Sequence, residues 1–273
     1  MCSSDLELIF LRKYNLERGD ELELNKIYNE DCLEGMKRIP DGSVDMILCD
    51  LPYGTTACKW DTIIPFEPLW EQYERVIKDN GAIVLTASQP FTSALIMSNP
   101  KIFKYSWVWD KVKATGHLNA KKQPLRRFED VCIFYKKQCT YNPQMIEREK
   151  PRIDNYSVEK EYVGDGSQVY GTHKRISNVY THYYPTNIQE FSNADQTKAY
   201  HPTQKPVALF EYLIKTYTNE GETILDNCMG SGTTAIACLN TNRNYIGFEL
   251  DKGYFDIAND RIDKHKREIA KDN

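Results

Sequence analysis

The sequence predicts an α/β architecture around a largely parallel sheet, on three observations. Short β-rich runs alternate with segments of helical spacing along most of the 273 residues. Two of those runs stop at acid-bearing turns, Asp50-Leu51-Pro52-Tyr53 and Asp226-Asn227-Cys228-Met229-Gly230. The composition, 41% hydrophobic and 27% charged, is that of a globular chain able to build one large domain, or one domain with an insertion. The longest apolar runs are far too short to span a bilayer. Charged residues interrupt the stretch where a signal peptide would need an apolar core, so a cytoplasmic protein without a membrane partner is expected.

The elements follow in order. Lys26 to Asn29 is strand-like, and Val44 to Cys49 reads as a buried strand. Phe66, Leu69, Tyr73, Val76 and Ile77 share a helical face that Asn80-Gly81 ends. Ala82 to Ala87 is the next strand and Phe91 to Met97 the next helix. Strand-like Tyr105 to Trp109 and Val131 to Tyr135 then flank a long loop, a feature usually tied to function in a compact domain. From 138 to 200 periodicity weakens, and eight of the 18 tyrosines fall there (141, 156, 162, 170, 180, 183, 184 and 200). That segment reads as an inserted recognition region, with an irregular surface extension as the alternative. Regular pattern returns at His201: Val207 to Tyr217 forms a helix face and Thr223 to Asp226 a strand. A helix through Leu239, a strand from Tyr245 to Phe248 and a helix from 254 to 270 complete the chain. The resulting division is an N-terminal extension (1–25), a catalytic domain (26–137 and 201–273) and an insertion (138–200).

Net charge is −4, which argues against a purely electrostatic nucleic-acid binder. The charge is uneven, however. Between Lys111 and Arg127 there are six cations, Lys111, Lys113, Lys121, Lys122, Arg126 and Arg127, and no acid. Alone, such a run is equally a solvated loop. The eight cysteines contain no CxxC pair and no Cys/His cluster, so buried reduced thiols and no metal site are expected.

Two strand ends carry the chemistry. After the strand ending at Asp226, Gly230-Ser231-Gly232-Thr233 opens a helix, where glycine lets a ligand approach the backbone and the helix N-terminus offers free N–H donors. Glu249, closing the next strand, is placed to accept from both hydroxyls of a ribose. The turn lacks the lysine of a phosphate-binding GxxxxGK[ST] loop and the third glycine of the dinucleotide fingerprint. S-adenosylmethionine fits, having a ribose and a cationic centre but no phosphate. The other strand end is Asp50-Leu51-Pro52-Tyr53, which in isolation is equally a capped turn.

Taken together and in this order, these blocks resemble the DNA amino-methyltransferases that modify adenine N6 or cytosine N4, with the catalytic motif first. Their DPPY-like tetrapeptide corresponds to Asp50-Leu51-Pro52-Tyr53, and their D-x-F-x-G-S-G-T block to residues 226–233. His201-Pro202-Thr203-Gln204-Lys205-Pro206 looks like the family segment around the methionine end of the cofactor, and Asp31-Cys32-Leu33 like its adenine-side segment. The resemblance runs from about residue 26 to 260. It implies a Rossmann-like, S-adenosylmethionine-dependent methyltransferase fold with a mixed, mostly parallel sheet and an inserted recognition region. It assigns Asp31, Cys32, Lys205, Asp226, Cys228, Gly230, Ser231, Gly232, Thr233 and Glu249 to the cofactor. Asp31 alternatively caps a helix, and Lys205 alternatively is a surface lysine. Leu51 stands where the family usually has proline and Cys228 where it usually has Phe.

The resemblance further implies that Asp50 and the Leu51 carbonyl accept from the amino group of a flipped base, with Pro52 stiffening the turn and Tyr53 stacking on the base. Double-stranded DNA is the expected partner, the six cations facing its phosphates. A homodimer and a separate restriction endonuclease are further candidate partners. An Asp-first tetrapeptide favours adenine N6 over cytosine N4; a cytosine C5 enzyme would need a nucleophilic cysteine, typically in a Pro-Cys dipeptide absent here. Enzymes that methylate protein glutamine or RNA normally carry the cofactor block before the catalytic block. A catalytically silent DNA-binding module is the reading from another class.

Overall fold

The computed structural model describes residues 22–56, 58, 61–154, 161–162, 173–174, 178–193 and 204–272. Most of the proposed 1–25 extension, His201-Pro202-Thr203 and the tyrosines at 156, 170 and 200 lie outside those residues. The chain divides into two compact units, Met1–Asn142 with Asn187–Asn273, and Pro143–Thr186.

The larger unit is built on one sheet. Its strands are β1 (Lys26–Tyr28), β2 (Val44–Cys49), β3 (Ile77–Ala87), β4 (Phe103–Thr115), β5 (Arg126–Phe134), β10 (Ile188–Glu190), β11 (Thr223–Asp226) and β12 (Asn244–Phe248). The order across the sheet is β1-β12-β11-β2-β3-β5-β4-β10. β5 pairs antiparallel with β3 and β4, and every other neighbouring pair is parallel. The smaller unit holds two antiparallel pairs, β6 (Ile146–Asp154) with β9 (Asn178–Tyr183) and β7 (Glu161–Tyr162) with β8 (His173–Lys174).

The apolar runs become buried strands because both faces of the sheet are covered. Met46 and Leu48 of β2 face one core with Leu213 and Ile214 from helix α4 (Val207–Tyr217). Ile47 and Cys49 face the other, with Leu69, Tyr73 and Val76 from helix α2 (Phe66–Val76) and Leu95 from helix α3 (Phe91–Ser98). This is the period of two that makes neighbouring side chains point to opposite faces. The remaining helices are α1 (Cys32–Met36), α5 (Thr233–Asn240) and α6 (Lys252–Asp272). Gly35 of α1 lies so close to β12 that an added Cβ would meet the Phe248 ring at 2.2 Å. Among the described residues no helix is long and apolar enough to cross a membrane.

Three sequence expectations are corrected. Asn80-Gly81 does not end a helix: α2 stops at Val76 and β3 begins at Ile77, so the pair lies within the strand. A side chain at position 81 would sit 2.7 Å from the Asp45 carbonyl, which is why glycine allows the strands to approach there. The basic run is not one long loop, because β4 extends to Thr115 and β5 starts at Arg126. Between them a short 3-10 turn, His117–Asn119, completes a hairpin. Finally, the span 138–200 is not one unit: residues 138–142 and 187–193 belong to the larger unit, where β10 adds to the sheet beside β4.

Candidate active site

The strand order sets four acids side by side at the carboxyl ends of parallel strands: Asp31 after β1, Glu249 after β12, Asp226 closing β11 and Asp50 after β2. A cavity of about 950 Å³ opens over them and all four line it. It lies where the chain's progression along the sheet reverses, between β11 and β2, the usual crevice for ligands in open α/β sheets. The two turns singled out in the sequence therefore share one pocket.

On the catalytic side, Asp50 Oδ1 accepts from the Tyr53 hydroxyl at 2.7 Å and from the Thr86 hydroxyl at 2.5 Å. Lys205 donates to Oδ2 at 2.6 Å. The half-buried Tyr53 ring stacks on Phe91 with centroids 5.1 Å apart. Burial, and then the Asp50 and Glu129 charges, push its phenol well above the ordinary range. Leu51 is buried in the core beneath the turn, so an apolar residue replaces the family's proline without exposing surface. Asp61 ties down the backbone just beyond Tyr53: its carboxylate accepts from the N–H groups of Gly54, Thr55 and Thr56 at 2.8, 2.9 and 2.7 Å. Burial acts to raise the Asp61 carboxyl, but hydrogen bonds from Thr56, Gly54 and Thr55 win and hold it below the usual range.

On the other side, Asp226 is buried and shapes the turn. Its Oδ1 accepts from Cys228 N–H at 3.0 Å and its Oδ2 from the Thr234 hydroxyl. Burial raises its carboxyl to about 6. Gly230 and Gly232 adopt φ of 53° and 81°, the left-handed region where glycine avoids strain. A Cβ on Gly232 would also come within 3.3 Å of Ala258 in α6. From α6, Arg261 donates to the Ser231 carbonyl at 3.0 Å and the Thr233 hydroxyl at 3.2 Å, clamping the loop. Glu249 accepts from Gly230 N–H at 2.7 Å and Asp251 N–H at 2.8 Å. Each of its oxygens keeps a further lone pair, so the pair suits a vicinal diol, and no lysine on the turn awaits a phosphate. A nucleoside bearing a cationic group, rather than a nucleotide, fits this donor and acceptor set.

Every expected catalytic residue lines the cavity, as do all expected cofactor residues except Gly232, which acts from behind as the α5 cap. Asp31 caps α1, accepting from Leu33 N–H at 2.8 Å, and Cys32 and Cys228 lie 3.5 and 3.6 Å from the Asn227 amide nitrogen. Lys205 is not a surface lysine: it is 6% exposed, lines the cavity and donates to Asp50.

The six cations divide. Lys113, Lys121, Lys122, Arg126 and Arg127 are exposed, though Arg127 pairs with Asp110 at 2.8 Å. Lys111 departs from the expectation of an open phosphate contact: it is buried, lines the cavity and pairs with Glu129 at 2.5 Å. Along β4, Trp107, Trp109 and Lys111 alternate inward. An irregularity follows, with Val112 at φ 64° and its N–H donating to Asp110 at 2.8 Å, and this turns Lys113 outward.

Thr86, Phe91, Asp61 and Glu129 complete the site and escaped the sequence reading. Only Asp61 carried a local signal, a carboxylate a few residues past a glycine turn that its backbone donors could reach.

The fold and site together define a class, the Rossmann-like α/β transferases that use a nucleoside-bearing methyl donor. Residues 44–260 match the DNA methylase model that covers N6 and N4 enzymes, and the chain belongs to that family of DNA amino-methyltransferases. It is a site-specific DNA methyltransferase. The Type II methyltransferase M.HpaI of Haemophilus parainfluenzae is 27% identical over 85% of this chain and 72% of its own length. The Type II methyltransferase M1.MboII of Moraxella bovis is 26% identical over 87% and 96%. The DNA adenine methyltransferase YhdJ of Escherichia coli is 28% identical over 88% and 83%. Among solved structures, the M1.HpyAVI–SAM complex superposes with a TM-score of 0.57 at 26% identity, covering 86% of this chain and 98% of that one. The cytosine-N4-specific PvuII DNA methyltransferase, at 14% identity, shares the fold with a TM-score of 0.60 over 91% and 93%.

Proposed function

We propose that this methyltransferase modifies adenine N6 in double-stranded DNA, acting on a base flipped out of the helix. The observation that carries the reading is that the Asp50 carboxylate and the Gly230–Thr233 turn line one cavity. S-adenosylmethionine is the cofactor, and when bound it supplies a methyl group activated by a sulfonium. Glu249 and the turn hold its nucleoside.

The chain's own residues act on the target. An exocyclic amine is a weak nucleophile because its lone pair is delocalised into the ring, and it is out of reach within a duplex. Asp50 accepts one amino hydrogen and the Leu51 carbonyl the other, which aims the nitrogen lone pair into the cavity. Phe91 backs the Tyr53 ring, which then stacks on the extruded base. Positioning supplies much of the acceleration. The proton shed by the amino group after transfer has Asp50 as the acceptor it already faces.

Lys113, Lys121, Lys122 and Arg126 face the phosphates beside the cleft. The Pro143–Thr186 unit, with the Arg148 guanidinium 3.5 Å from the Tyr183 ring centroid, contributes target recognition. The preference for adenine over cytosine N4 rests on the Asp-first tetrapeptide, an argument by analogy. The test is incubation with DNA and methyl-labelled cofactor, followed by nucleoside digestion and mass analysis. Label in N6-methyladenine supports the reading; label in N4-methylcytosine transfers the mechanism to the other base, and DNA retention without label leaves a silent binding module.

A further inference from the structure

Glu129 stands outside the residues assigned above to the cofactor and the target base, yet it lies at the centre of the site's charge. It projects from β5, paired in register with Trp109, and its side chain is only 13% exposed. Lys111 reaches its Oε1 at 2.5 Å, while Lys205 stands 3.4 Å from its Oε2, an ion contact longer than the 2.6 Å bond Lys205 makes to Asp50. The order is therefore Asp50–Lys205–Glu129–Lys111, anion and cation alternating, and all four residues line the cavity.

Such a row is poorly explained by stability. Buried ion pairs often do no better than apolar packing, because desolvation offsets their attraction. Delivering Lys111 also coincides with a β-branched residue, Val112, in the left-handed region, a backbone strain of the kind found at functional sites. The charges act on each other strongly. Burial works to neutralise Lys205, yet Asp50 and Glu129 together raise its pKa above the ordinary lysine value. Burial likewise works against an ionised Glu129, yet Lys205 and Lys111 hold its carboxyl below the usual range.

The count of acceptor positions on Asp50 gives the row a purpose. An ionised carboxylate offers about four lone-pair positions. Tyr53, Thr86 and Lys205 occupy three, leaving one on Oδ2. We propose that Glu129 is a positioning residue of the transfer reaction: it shares the Lys205 ammonium with Asp50 and so keeps that last acceptor position open for the target amino group. Without the Glu129 charge, the ammonium has Asp50 as its single anionic partner and shifts across Oδ2 to cover the position. The inference rests on Asp50 being the residue that receives the amino group.

The test compares Glu129→Gln, Glu129→Asp and Asp50→Ala in the full chain, by single-turnover methyl transfer to DNA, cofactor titration and a pH–rate profile. Glu129→Gln is expected to lower the transfer rate at least about tenfold with cofactor affinity unchanged. It is also expected to bring the alkaline loss of activity to lower pH, since Lys205 loses one of the two charges that keep it protonated. Glu129→Asp, which keeps the charge, should restore much of the rate. Wild-type rate and profile in Glu129→Gln would overturn the inference, as would a lost rate with an unmoved alkaline limb, which marks a structural role. Should Glu129→Gln fail to fold, Glu129→Asp decides alone: keeping the charge, it should transfer within about tenfold of wild type with cofactor affinity and the alkaline limb unmoved, and a larger loss at unchanged cofactor affinity overturns the inference. Full activity in Asp50→Ala would instead remove the reading on which the inference stands.

Discussion

Lys205 donates to Asp50 at 2.6 Å although 155 positions separate them in the chain. The lysine just before α4 thus completes a site whose acid follows β2. Lys205 also lines the cavity assigned to the cofactor, and a role on Asp50 and a role on the cofactor separate experimentally. Lys205→Met is expected to slow methyl transfer about a hundredfold while cofactor affinity changes little. A large rise in cofactor Kd with an unchanged rate at saturation would return Lys205 to the cofactor.

Asp61 is expected to hold the catalytic turn in shape. Asp61→Ala removes the acceptor for three backbone N–H groups and should cost about 1–3 kcal/mol of stability in a denaturant titration, with transfer slowed. Because the folded carboxyl is held below its ordinary range, its contribution is present above that range and lost as the pH falls through the folded value. Stability of the wild type and the variant should therefore converge in acid.

Asp226 has the opposite sign. Its folded carboxyl titrates near 6, against an ordinary value of 3.8, so between these values the folded chain binds a proton that the unfolded chain does not. Stability from this group accordingly falls as pH rises through that window, by about 3 kcal/mol. Asp226→Asn should lack this slope when unfolding is followed across the same range; an identical slope in both proteins would assign it to another group.

The exposed cations should show themselves in salt. Replacing Lys113, Lys121, Lys122 and Arg126 with alanine is expected to weaken DNA binding and flatten its dependence on log salt by about 0.9 for each phosphate left without its cation. Arg127, already paired with Asp110, should contribute less. A gel-shift series with an unaltered slope would assign this hairpin to something other than phosphates.

Much of the sheet was legible because burial on both faces leaves a plain signature. Val44–Cys49, Thr223–Asp226 and the strand before Glu249 read as short apolar runs closing on acids, and the two turns that share the cavity follow from them. The hairpin of β4 and β5 was less legible, since a lysine-rich strand end and a lysine-rich loop look alike until a partner strand is known. Lys111 is the sharpest case: its inward direction depends on alternation with Trp107 and Trp109, while its neighbours suggest a solvated run. Glu129 and Thr86 gave no local sign, because what makes them functional is proximity to residues brought in from distant parts of the chain. The insertion's edges blurred for a similar reason, as Ile188–Glu190 looks irregular alone and becomes a strand only beside β4.

The claim that Asp50 serves the amino group, and not the cofactor, is tested most directly by Asp50→Ala, with cofactor affinity measured by titration and transfer measured in a single turnover. The expected result is a cofactor Kd within about threefold of wild type and a transfer rate lower by at least about a thousandfold. Transfer at the wild-type rate would contradict this role for Asp50, and so would a loss explained wholly by weakened cofactor binding.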